Sequence, residues 1–157
     1  MNYKLFVLLT ICSFLQSKKG IAQSANNGSA NLIGVFDGRT PCRDMAKQIN
    51  EIVTTECIKI KWRLTLYKNA DSVNQGIYEL IGFVYKKDNP RMGKWNIVKG
   101  TYSNPDAIVY QLDQEGKEPL FLLKGDDNIL FFLDQEKKLM VGNRDFSYTL
   151  NRVAKKF

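Results

Sequence analysis

From Ile58 to Tyr67 the chain alternates without a break. Ile58, Ile60, Trp62, Leu64 and Leu66 are apolar, and Lys59, Lys61, Arg63, Thr65 and Tyr67 stand between them. A period of two is the pattern of a β-strand with one face in a core and the other in water. The pattern then repeats in short pieces. Strands are predicted at 76–85, 94–102, 107–112, 119–124, 129–133 and 146–152, with a further short one at 139–141. Turn chemistry separates them: Ser103-Asn104-Pro105-Asp106, Gly125-Asp126-Asp127-Asn128 and Gly142-Asn143 are examples. Apolar residues fall on both faces of 76–85, which reads as the more buried strand. A first strand is predicted at 32–36, followed by a turn at Asp37-Gly38-Arg39-Thr40. Connections this short join antiparallel neighbours. Seven or eight such strands left flat would expose two edges, and closing the sheet removes them. The expected fold is therefore all-β with one short helix, a small antiparallel up-and-down β-barrel. A β-sandwich is the alternative, since alternation alone does not separate the two.

One helix interrupts the strands. Thr40 is placed to cap it, Pro41 suits the first helical position, and Asp44 lies in the first turn. Cys42, Met45, Ile49, Ile52 and Val53 share one helical face, which predicts a helix ending near Thr54-Thr55. It should pack near the mouth of the barrel.

The N-terminus reads as an export signal. Lys4 gives a positive start, Leu5 to Leu15 an apolar core of 11 residues, and Gly20-Ile21-Ala22-Gln23-Ser24-Ala25 a small-residue cleavage zone. That core is too short for a membrane-spanning helix, which needs about 20 residues. Residues 1–22 are expected to be removed, 23–31 to form a flexible leader with an Asn27-Gly28-Ser29 sequon, and 32–157 to form the domain. Cys12 lies within the apolar core, after Ile11, and so lacks the setting of a lipid-attachment cysteine. The expected product is periplasmic or secreted, and free of a membrane anchor.

Charge and composition exclude several function classes. The signal holds Lys4, Lys18 and Lys19 and no acid, which leaves 20 basic against 16 acidic residues. This mild surplus is scattered, whereas nucleic-acid binding calls for a dense basic stripe. The chain has no histidine. It therefore cannot use Ser-His-Asp or Cys-His catalysis, or a histidine zinc site. An enzyme is not expected. The basic stripe Lys59, Lys61 and Arg63 reads as a solvated outer face, and Asp126-Asp127-Asn128 as a turn without the remaining ligand spacing of a calcium loop. Glu115 and Glu118 have no partner that would make them an acid/base pair.

Two cysteines remain after the signal, Cys42 and Cys57. An even pair in an exported chain reads as one disulfide. The alternative is a soft-donor set of Cys42, Met45 and Cys57, of the kind that selects copper(I). The two readings exclude each other, because a disulfide sulfur is not a thiolate. Aromatic residues such as Trp62, Tyr78, Trp95, Tyr110 and Tyr148 either fill the barrel or line a pocket for one small ligand.

Thr40-Pro41-Cys42-Arg43-Asp44-Met45 precedes a meander that carries Gly76-Ile77-Tyr78-Glu79-Leu80, Gly93-Lys94-Trp95, Ile129-Leu130-Phe131-Phe132-Leu133-Asp134 and Phe146-Ser147-Tyr148-Thr149-Leu150. This order resembles the N-terminal domain of the NlpE-like family, bacterial envelope proteins linked to copper resistance and envelope-stress sensing. The resemblance runs from about Gly34 to Val153. It implies a lipocalin-like barrel acting as a binding or sensing module in copper or envelope homeostasis, with an envelope protein or small ligand as partner. Two positions depart from the family pattern: Met45 stands where its second cysteine falls, and the lipidation cysteine is missing. A periplasmic carrier, holding a small apolar ligand inside the barrel, is the alternative function.

Overall fold

The computed structural model describes residues 31–83 and 85–153; the expected signal and nearly all of the expected leader lie outside the described residues. Eight strands and one helix follow in chain order: β1 (Asn31–Pro41), α1 (Cys42–Gln48), β2 (Lys59–Asn69), β3 (Ser72–Gly82), β4 (Arg91–Lys99), β5 (Ile108–Leu112), β6 (Leu120–Lys124), β7 (Ile129–Leu133) and β8 (Thr149–Arg152). Each strand pairs antiparallel with the next, and β8 returns to β1, so the sheet is a closed barrel. The sandwich alternative is thereby set aside.

The register explains how the interior is filled. Ile60, Trp62, Leu64 and Leu66 point inward from β2, as the alternation requires, and all are buried. Ile58 lies before the strand and is exposed. Three of the large aromatic side chains in the core each have a glycine as a direct cross-strand partner. Trp62 faces Gly38 on one side and Gly82 on the other, Tyr78 faces Gly93, and Trp95 faces Gly76. A Cβ added at Gly93 would come within 2.6 Å of the Tyr78 ring. The missing side chains are what let three wide rings fit inside a narrow barrel. Leu80, Leu112, Leu120, Leu122, Leu130, Phe132 and Leu150 complete one continuous core.

The ends are closed by different devices. At one end Arg152 stacks on Phe36, with its guanidinium carbon 4.9 Å from the ring centre, and donates to the carbonyls of Ile33 and Asp127. At the other end α1 inserts Cys42, Met45, Ala46 and Ile49 as a plug. Outside the wall a small apolar cluster of Val109, Phe121 and Leu133 packs with Val98 and Leu123.

Several sequence expectations are corrected. The turn at 37–40 is strand: β1 pairs with β2 without interruption from Gly34↔Leu66 to Pro41↔Lys59. Thr40 does not cap the helix, because its buried hydroxyl accepts the Trp62 indole N–H at 2.9 Å. Pro41 is the residue before the helix, and no side chain caps it. The helix stops at Gln48, short of Thr54. Asn50 has φ 54°, the Asn50 N–H donates to Lys47 O, and the Glu51 N–H donates to Ala46 O. That pair of bonds is a Schellman closure with asparagine in the left-handed position. Ile52, assigned to the buried helical face, is 98 % exposed. β3 starts at Ser72 and ends at Gly82, and its Ile77 and Ile81 lie on the outer face away from buried Tyr78 and Leu80. The strand at 139–141 reduces to a single bridge, Leu133↔Leu139, and β8 begins at Thr149 and not at Phe146.

Candidate functional site

The sulfur site predicted from sequence is a crosslink. Cys42 opens α1, and Cys57 ends the loop that leads into β2. Their Cα atoms are 5.7 Å apart and their sulfurs are bonded. The Cys42 N–H also donates to Ile58 O at 3.1 Å, so backbone and disulfide hold the same two segments together. Met45 is fully buried in the core beneath them. With the sulfurs joined, Cys42, Met45 and Cys57 do not form a thiolate set for copper(I). Among the described residues no three His, Cys, Asp or Glu side chains gather as a metal site.

The inward face leaves little space for a ligand. The Leu64, Leu66, Tyr78, Leu112 and Leu122 side chains are all shut off from solvent. The principal clefts, of about 230 to 800 Å3, are lined by outer and rim residues such as Lys61, Lys117, Asn96 and Lys138, and none is lined by those five side chains.

The helix end of the barrel carries a polar rim. The strand expected from residue 94 begins three residues earlier, at Arg91. Arg91 donates to Tyr85 Oη at 3.2 Å and to Glu115 O at 3.1 Å, and it stacks on the Tyr85 ring. The Tyr78 hydroxyl donates to Asp113 O at 2.8 Å. Burial raises the Tyr78 pKa above its ordinary value. Lys117 pairs with Glu51, and that hydrogen bond raises the lysine pKa. Across the rim, Tyr148 reaches Asp44 Oδ2 at 3.4 Å; burial, then the nearby carboxylate, pushes the phenol up to about 12. Beside this rim a cleft of about 800 Å3 lies between α1 and the 116–118 turn.

A second cleft, of about 550 Å3, lies on the wall. β8 pairs with β1 only from Phe36 to Gly38. Beyond Gly38 the chain before β8 follows β7, with the Phe132 N–H donating to Tyr148 O, and β1 runs on toward Pro41 paired with β2 but not with β8. The seam therefore parts. Arg39 and Lys61 flank the opening, Phe146, Ser147 and Asn151 form the opposite wall, and the edge of Trp62 borders it. Arg39 and Lys61 are direct cross-strand partners. Like charges in that position repel. Arg63, one step along, is neutralised by Asp37 in a two-pronged contact at 2.8 and 2.6 Å, which raises its pKa. Arg39 and Lys61 have no ion-pair partner among the described residues. Lys59, Lys61 and Arg63 are legible in the sequence as a stripe; Arg39 is not, because a residue in an expected turn has no register.

None of three comparisons, with protein-family models, curated proteins and solved structures, returns a match for this chain. The likeness to the NlpE-like family rests on the residues quoted above.

Proposed function

We propose that the chain is an exported, non-catalytic binding or sensing module of the bacterial envelope, one that recognises its partner with the outside of a solid barrel. The observation that carries this reading is the filled interior. Glycines opposite Trp62, Tyr78 and Trp95 give their space to those rings, and α1 stops one mouth. A carrier of apolar ligands needs the opposite, an interior pocket of about 300 Å3 or more. The disulfide supports the oxidising setting that the N-terminal signal implies, because such bonds persist outside the cytoplasm. Copper or envelope homeostasis is the setting implied by the NlpE-like resemblance. Copper(I) binding by Cys42, Met45 and Cys57 would belong to a reduced form, in which the thiolates exist.

The test is expression of the full chain with its own leader in a bacterial host, followed by fractionation and non-reducing intact mass. The expected product is found outside the cytoplasm, lacks about the first 22 residues, and is two hydrogens lighter than the dithiol. A protein retained in the cytoplasm at full length with both thiols free would overturn the reading.

A further inference from the structure

We propose that the parted seam between β1 and β8 binds an anionic sugar, its carboxylate or phosphate held between Arg39 and Lys61. This deepens the proposed binding role and rests on it. The first support is electrostatic. The register places two cations directly opposite each other at the groove, where they repel, and leaves both without an ion-pair partner among the described residues. The neighbouring pair shows the usual remedy, since Arg63 has Asp37 across the strand. Lys59, the next basic residue on the same face, is turned toward Phe146, its Nζ 5.6 Å from the ring centre. An oxyanion between Arg39 and Lys61 would relieve the repulsion through charge-assisted hydrogen bonds.

The second support is the shape and lining of the groove. At about 550 Å3 it is far larger than a bare phosphate, and within the range of small-ligand sites. The wall opposite the cations offers the Ser147 and Thr149 hydroxyls, the Asn151 amide and the flat ring of Phe146. Hydroxyl and amide groups beside a ring suit the polar edge and apolar face of a sugar. An acidic peptide adding as a strand is the competing occupant. The free edge of β1 beyond Gly38 is only Arg39, Thr40 and Pro41, and proline has no N–H to donate. That edge is too short to hold a strand, so the charge and the polar wall favour the sugar. Two carboxylates also line the groove, and each has an arginine beside it: Asp37 pairs with Arg63, and Asp145 lies 3.6 Å from Arg144.

The oxidised, exported protein is titrated with glucuronate, glucose 6-phosphate, glucose, inorganic phosphate and an acidic peptide, following Trp fluorescence, because Trp62 borders the groove. Saturable binding of glucuronate or glucose 6-phosphate, with glucose and inorganic phosphate at least tenfold weaker, is expected; which of the two binds better identifies the anion. R39Q with K61Q should weaken that binding at least tenfold, while K94Q with K99Q, the same charge loss on β4, should change it less than twofold. Since removing one cation of an opposed pair relieves repulsion, R39Q should not lower the thermal midpoint. No saturable binding of either anionic sugar, equal losses in both double variants, phosphate binding as well as the sugars, or binding of the acidic peptide alone would overturn the proposal. Export and disulfide formation are measured separately, so failure here leaves the exported-barrel reading standing.

Discussion

Gly82 and Gly93 carry much of the packing although they have no side chains. Each lies directly across from an inward ring, Trp62 and Tyr78. A methyl group at either position meets that ring, and overpacking a filled core costs typically about 1–3 kcal/mol. Gly93→Ala should lower stability by that amount in urea unfolding, with the slope unchanged. Thr40 has a comparable role through one atom. Its hydroxyl is the acceptor for the buried Trp62 N–H, so Thr40→Val should cost about 1–3 kcal/mol by orphaning that donor. Tyr148 makes stability depend on alkaline pH. Its folded pKa, about 12, lies above the ordinary value of 10.0, so the contribution of the neutral phenol is complete below pH 10 and disappears as the pH rises through about 12. The urea midpoint should fall across that window, and Tyr148→Phe should flatten the fall. At this scale the sequence was readable wherever alternation was regular: Ile60, Trp62, Leu64 and Leu66 could be assigned inward in advance. The glycine–aromatic partnerships could not, because they join residues up to 24 positions apart and need the register.

Among the elements, α1 was the most visible and the worst bounded. Helical spacing marks Met45 and the C-capping Ile49 as buried, and both are, but the same period runs on through Ile52 and Val53, past the end at Gln48. The stop signal was Asn50, one of the few residue types that enter the left-handed region readily. At the N-terminal side, Thr40-Pro41 has the composition of a helix start, yet pairing of β1 with β2 persists to Pro41↔Lys59. A partner strand nearly 20 residues away overrode local preference. The disulfide makes α1 part of the barrel and not an appendage. It closes a separation of 15 residues, worth about 3 kcal/mol in the chain-entropy model. Cys42→Ala with Cys57→Ala should lower stability by that amount in urea, and most of the effect should appear as earlier loss of protection from hydrogen exchange in residues 42–58.

For the whole molecule, the number of strands and their short connections were enough to favour closure, because eight short strands in an open sheet would leave edges exposed. What alternation could not supply was the shape of the closure. β8 meets β1 over only three residue pairs, and the seam parts beside them. The feature that singles out Arg39 and Lys61 therefore arises from the last contact the barrel makes, between residues more than 110 positions apart. The two ends are shut, by Arg152 and by the stapled helix, and the space between is taken by the protein's own rings and leucines. The proposed binding role therefore falls to the outer wall. Titration of the oxidised protein with N-phenylnaphthylamine, a neutral apolar fluorophore, tests this most directly. A filled barrel predicts no saturable rise in emission and no energy transfer from Trp62 or Trp95, whereas tight one-to-one binding with transfer from both tryptophans would contradict it.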